Sequence, residues 1–168
     1  MRWARVLGAA GVVLGSAALL GGCLFVRAPE ATGPALVVGE LLGAVGQELQ
    51  IPLEVVEFPA PGVGGVALLD LGYDPAVLEV LGVEGRGGFV LLCSCVNNAT
   101  GRVKCVLVNP TGGITTGPVG TLRVRRVGAG DPRFRLDPAS VQVVDAANAP
   151  VPGFAIRLGG APLYWVKR

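Results

Sequence analysis

From residue 35 onward the chain is chopped into short apolar runs by its glycines and prolines. The full sequence of 168 residues holds 27 Gly and 13 Pro, and one or the other recurs roughly every eight to twelve positions between segments of Val, Leu and Ile. An amphipathic helix needs apolar residues at a period near 3.6 over several turns, and no segment sustains it. Residues 35–39, 47–56, 64–73, 78–84, 88–96, 102–109, 119–127, 132–136, 140–145 and 152–158 read as strands. Many short strands at this spacing bury their apolar faces only by closing into a β-sandwich or barrel. The expected class is therefore all-β.

The N-terminus has a different character. Met1-Arg2-Trp3-Ala4-Arg5 carries two positive charges, and Val6 to Leu20 is uncharged and rich in Gly, Ala, Val and Leu. That is the pattern of a signal peptide. The run is shorter than the roughly 20 residues a helix needs to span a ~30 Å hydrocarbon core. It ends in Leu20-Gly21-Gly22-Cys23, which resembles the bacterial lipobox: an apolar residue, two small ones, then the cysteine that receives lipid. Several acyl chains at about 0.8 kcal/mol per buried methylene give stable anchoring. The expected organisation is a lipoprotein signal peptide over 1–22, lipidated Cys23 with a tether over 23–33, a β-sandwich over 34–160, and a C-terminal tail over 161–168, with Tyr164 and Trp165 against the sandwich edge. The expected location is the cell envelope, lipid-anchored to a membrane and facing the periplasm or the cell exterior.

Charge and chemistry exclude several functions. The leader holds two of the 14 basic residues and none of the 12 acidic ones, so the remainder is balanced. A nucleic-acid binder would show a basic excess interleaved with aromatics, and none is present. There is no His, and only Ser94 and Ser140 follow the leader, which removes the commonest general base and most nucleophile motifs. Asp70 and Asp74 are the nearest carboxylates of interest, but four steps along an extended strand separate their backbones by roughly 13 Å. The chain reads as non-enzymatic, with no metal or other cofactor expected.

Phe89 to Val96 and Arg102 to Val108 read as a hairpin around Asn97-Asn98-Ala99-Thr100-Gly101. Asn98-Ala99-Thr100 fits the glycosylation triplet, but turn chemistry accounts for it. Cys93 and Cys95 point to one face of their strand, and Cys105 lies opposite Cys95 or Cys93 according to the turn register. Outside the cytoplasm such neighbours oxidise, so one disulfide is expected: Cys95 with Cys105, or Cys93 as the alternative partner.

At Leu71-Gly72-Tyr73-Asp74-Pro75-Ala76-Val77-Leu78-Glu79-Val80 the chain resembles the cohesin family, in which an apolar strand runs into Tyr-Asp-Pro and an aliphatic return. Asp74 and Pro75 turn the chain, Pro fixing φ, and Val77, Leu78 and Val80 re-enter the core. Gly46 to Val55, Gly120 to Val124 and Val141 to Val151 are similar to the early, late and closing strands of that family, so the likeness covers about residues 35–160. It implies a nine-stranded jelly-roll sandwich that binds a partner protein, a dockerin or another surface protein, through one flat sheet face. Alternation places Val66, Leu68 and Asp70 on the outward side of their strand, and Arg102 and Lys104 lie on the neighbouring one. These five residues are the expected partner-binding face. Polysaccharide or cell-wall glycan is the alternative ligand, although strand-alternating aromatic pairs for a sugar platform are lacking. Arg123 with Arg125, and Arg133 with Arg135, form basic stripes suited to solvent or to an anionic polymer.

Overall fold

A computed structural model describes residues 33–159 and the backbone of residues 161–166. Its strands are β1 (Ala35–Val38), β2 (Glu48–Val56), β3 (Val63–Gly72), β4 (Leu78–Gly85), β5 (Val90–Asn97), β6 (Arg102–Val108), β7 (Gly117–Arg126), β8 (Arg135–Leu136), β9 (Val141–Asp145), β10 (Ala155–Leu158) and β11 (Ala161–Val166). The only helical turn among the described residues is a short 3-10 turn at Pro138–Ser140, whose first N–H groups are capped by Asp137. The all-β reading holds. Ten of the eleven strands coincide with the segments read from the sequence, residues 132–136 yielding only the short β8, and the segment read as a tail adds β11 along β10, so the count exceeds the nine that the resemblance implies. The leader, Cys23 and its tether, and the side chains of Tyr164 and Trp165, lie outside the described residues.

One sheet runs β11-β10-β1-β2-β7-β4, and the other runs β5-β6-β3-β8 with β9 also paired to β3. The pairing of β1 with β10 is parallel, and every other pairing is antiparallel. The core lies between the sheets. Leu36, Ile51, Leu53, Val80, Leu122 and Val124 face Val66, Leu68, Leu71, Val103, Leu107 and Val141, each at most 2% exposed. Burying one such side chain stabilises the fold by about 1.5–3 kcal/mol, which is why the period-two pattern sets the register of β2, β6 and β7.

The Tyr-Asp-Pro motif does what its chemistry suggests. Asp74 accepts a hydrogen bond from Ala76 N–H at 2.9 Å on Oδ1, and its carbonyl accepts from Val77 and Leu78 N–H at 3.0 and 2.9 Å. The chain therefore reverses in one turn and delivers Val77, Leu78 and Val80 into the core at 4, 1 and 2% exposure. Tyr73 N–H donates to Gly101 carbonyl at 2.9 Å. Gly101 has φ +65°, and a Cβ there would lie 2.1 Å from Tyr73 carbonyl oxygen, so both the backbone conformation and the close approach require glycine.

Candidate partner-binding face

The expected face needs correction at two positions. Val66 and Leu68 are 1 and 0% exposed and belong to the core. Along β3, Leu68 pairs with Cys105 and Leu71 with Val103, three steps against two, so a bulge inserts one residue. Strict alternation through Tyr73 places Val66 and Leu68 on the side away from Leu71; the bulge slips the phase and puts all of them on the inner side. The extra residue turns outward Leu69, 38% exposed, next to Asp70.

Asp70, Arg102 and Lys104 do come together on the outer surface of the second sheet. Arg102 donates to Asp70 Oδ2 at 2.8 Å across β6 and β3. Lys104 is exposed and pairs in register with Cys95 of β5. Continuing along β6 on the same side, Val106 and Val108 are partly exposed and lie opposite Cys93 and Val90, the latter 50% exposed. On β3, Ala67 pairs with Val106, and Gly65 pairs with Val108. A Cβ at Gly65 would lie 2.7 Å from a methyl of Val144 on β9, so glycine there leaves the surface flat and lets Val144 cover the strand. The face thus grades from a charged rim at Asp70, Arg102 and Lys104 to an apolar end at Val90, Val106, Val108 and Val144. Val106 and Val108 are not among the residues expected from the sequence, although the same alternation that marks Arg102 and Lys104 as outward marks them too.

The expected disulfide does not form. Asn97 pairs with Arg102, which leaves residues 98–101 as the turn and sets Ser94 opposite Cys105. Cys105 is therefore on the inner face at 1% exposure, while Cys93 and Cys95 are exposed on the outer face, and all three are free thiols. A turn one residue longer or shorter reverses that relation, since a single slip exchanges faces. Burial pushes the Cys105 thiol up to about 12, with a backbone hydrogen bond at Leu68 acting against it.

The turn also holds a clamp. Asn98 Nδ2 donates to Val80 carbonyl at 3.0 Å, and Asn98 Oδ1 accepts from Val80 N–H at 2.9 Å and from the Tyr73 hydroxyl. Its amide behaves as an extra peptide unit joining the β5–β6 turn to β4 in the other sheet. The nitrogen that glycosylation would require is engaged there.

The outer surface of the first sheet is different in kind. Arg125 lies between Glu48 and Glu79, and Arg123 between Glu48 and Glu84, which also pairs with Arg86 at 3.1 Å. The hydrogen bond from Arg125 holds the Glu48 carboxyl below its ordinary value and raises the guanidinium. This ladder neutralises itself, so the Arg123 and Arg125 stripe presents no free positive field to an anionic polymer. Arg133 pairs with Asp131 at 2.7 Å. A cavity of about 410 Å³ beside Leu41, Arg126 and Phe134 is open to solvent, and the Arg126 guanidinium is spent on carbonyls of Gly43, Gly128 and Gly130.

No family model matches the sequence, and no curated protein matches it either. Solved structures do match. A non-cellulosomal cohesin from the hyperthermophilic archaeon Archaeoglobus fulgidus aligns at a TM-score of 0.59 and 19% identity, over 76% of this chain and 88% of that one. The sixth cohesin from scaffoldin B of Acetivibrio cellulolyticus, solved in complex with a mutant dockerin, aligns at 0.60 and 15% identity, over 76% and 96%. The second type II cohesin module of the adaptor scaffoldin ScaA from the same organism aligns at 0.61 and 11%, over 80% and 93%. The fold is that of cohesin domains. In this cohesin-like sandwich the Tyr73-Asp74-Pro75 turn, the Asn98 clamp and Gly101 sit together at one end, and they hold β4 and the β5–β6 hairpin in place behind the apolar outer face.

Proposed function

We propose that the chain is a membrane-anchored, surface-exposed, non-catalytic binding module that captures a protein partner on the outer face of β5, β6 and β3, with lipid on Cys23 as its anchor. The observation that carries this reading is the uncovered apolar end of that face, Val90, Val106, Val108 and Val144, rimmed by Asp70, Arg102 and Lys104. Apolar area bordered by charge is the surface a protein partner buries. Structural neighbours solved with dockerins bound support a dockerin-like partner.

Glycan is the weaker ligand. Among the described residues the aromatic side chains are Phe58, Tyr73, Phe89, Phe134 and Phe154, all between 1 and 7% exposed, so none offers a flat ring to a sugar. Asp70 and Asp74, the carboxylates a hydrolase would need, are engaged by Arg102 and by the Ala76 N–H.

The test is binding of a panel of dockerin modules, and separately of soluble polysaccharides, to the lipidated chain in vesicles, with Val106→Asp beside the parent. A dockerin bound by the parent and lost at least tenfold with Val106→Asp supports the reading. Polysaccharide binding that Val106→Asp leaves intact replaces it with the glycan reading. Mass spectrometry of the N-terminal peptide tests the anchor: an acylated Cys23 as first residue is expected, and an unmodified Cys23 within an intact leader overturns it.

A further inference from the structure

Strand β5 is an edge. Among the described residues it pairs with β6 alone. Its two ends are tied to β4 of the other sheet: Asn98, just past one end, bonds both backbone groups of Val80, and at the other a Cβ on Gly85 would lie 2.1 Å from Phe89 carbonyl oxygen. Between these ties Leu92, Cys93, Ser94 and Cys95 are all exposed, Leu92 at 68%. Ser94 pairs with the buried Cys105 and yet is exposed, so the middle of β5 stands clear of the opposite sheet. Phe89 to Val96 contains no charge and no proline. Edge strands are normally protected by such residues, because open backbone groups recruit another strand.

The thiols specify which strand. Cys93 and Cys95 share one side of β5, and their Cβ atoms lie roughly 6.6 Å apart in extended backbone, beyond the about 3.5–4.5 Å that an internal disulfide needs. Cys105 faces the other side of the sheet and is buried. Among the described residues, neither exposed thiol therefore has a partner within its own chain. A second copy of β5 laid antiparallel about Ser94 brings Cys93 of each copy directly opposite Cys95 of the other. Directly opposed residues of antiparallel strands have Cα atoms about 4.5–5.5 Å apart, inside the roughly 4.4–6.8 Å range of disulfides.

We propose that β5 is a self-association edge, at which two copies of this chain pair antiparallel about Ser94 and are locked by reciprocal Cys93–Cys95 disulfides. Each bridge forms by thiol–disulfide exchange with an external low-molecular-weight disulfide. The thiolate of Cys95 attacks one of its sulfurs and releases the other as a thiol. Cys93 of the other copy then attacks the Cys95 sulfur and releases the second thiol. One external disulfide is reduced to two thiols for each bridge formed, and the two protons of the cysteines end on them. The dimer leaves Val106 and Val108 uncovered, so it sets two partner-binding faces side by side in one continuous sheet.

The test uses the full chain in mild detergent, with Cys23→Ser so that this residue cannot take part, reduced and then treated with oxidised glutathione. Cys93→Ser and Cys95→Ser are examined singly and as an equimolar mixture, by non-reducing electrophoresis and by mass spectrometry of the tryptic peptide of residues 87–102. Exposed serines in place of these thiols leave folding unperturbed, which a urea melt checks. The reciprocal pairing predicts a covalent dimer for the parent, monomer for each variant alone, and recovery of dimer in the mixture, where Cys95 of one variant meets Cys93 of the other. Cross-linking by either single variant as complete as the parent's, a mixture that stays monomeric, or glutathione adducts without dimer each overturn the proposal.

Discussion

Replacing Asn98 tests whether one side chain in a turn holds the two sheets together. Asn98→Ala deletes two hydrogen bonds to Val80 backbone, at 2.9 and 3.0 Å, and the acceptor of the Tyr73 hydroxyl. A hydrogen bond contributes about 1 kcal/mol net, and a buried group left without a partner costs about 1–3 kcal/mol. Asn98 itself is exposed while Tyr73 is 5% exposed, so water replaces part of what Val80 loses and little of what Tyr73 loses. The sum is a loss of about 2–3 kcal/mol. With a urea slope of about 1–3 kcal/mol per molar for a small domain, the midpoint falls by roughly 0.7–3 M. Asn98→Asp separates the contributions, since it keeps the acceptor for Tyr73 and Val80 N–H but turns an oxygen toward Val80 carbonyl. It is expected to lose about as much as the alanine. A double-mutant cycle with Tyr73→Phe isolates the hydroxyl bond. If Asn98→Ala shifts stability by less than about 0.5 kcal/mol, which is within ordinary surface substitution, the clamp is not a structural element and the reasoning fails.

Three further outcomes follow from the same contacts. Leu68→Asp buries a charge at a position 0% exposed and is expected to unfold the domain, whereas Leu92→Asp, at 68% exposure, leaves the unfolding free energy from urea melts unchanged within about 0.5 kcal/mol; a folded Leu68→Asp protein contradicts the bulge in β3. The Cys105 thiol, at about 12 in the fold against an ordinary 9.0, contributes stability that is complete below pH 9 and declines as pH rises toward 12, because the unfolded chain ionises first. Between pH 9 and 10 the parent should lose about 1 kcal/mol more than Cys105→Val in urea melts, and equal losses exclude the effect. Gly101→Ala should cost more than about 2 kcal/mol, since it adds strain at φ +65° to a contact with Tyr73 carbonyl; a neutral alanine there means that the turn relaxes freely.

Much of this architecture is legible in the sequence because it depends on local chemistry. Breakers between Val, Leu and Ile runs mark ten of the eleven strands, and Tyr73-Asp74-Pro75 marks its turn through a side chain that caps its own backbone two residues later. The strand missed, β11, follows Gly159-Gly160 and has few residues in which a period can show itself. The outward Arg102 and Lys104 are right for the same reason that Val106 and Val108 should have been added: β6 alternates without interruption.

What the sequence determined alone, then, is the all-β class, the strand boundaries to within a few residues and the identity of the turn motif, because these depend on propensities and periods a few residues long. What only the tertiary structure decided is which side of a strand each residue occupies beyond an irregularity. The β3 bulge moved Val66 and Leu68 from the expected face into the core, and the turn at 98–101 set Cys105 opposite Ser94 and not a cysteine. Side-chain direction in a strand reverses with every residue, so a single inserted position inverts everything after it. Whether one is inserted depends on which arrangement buries more apolar surface against the other sheet, and that comparison exists only once both sheets are assembled.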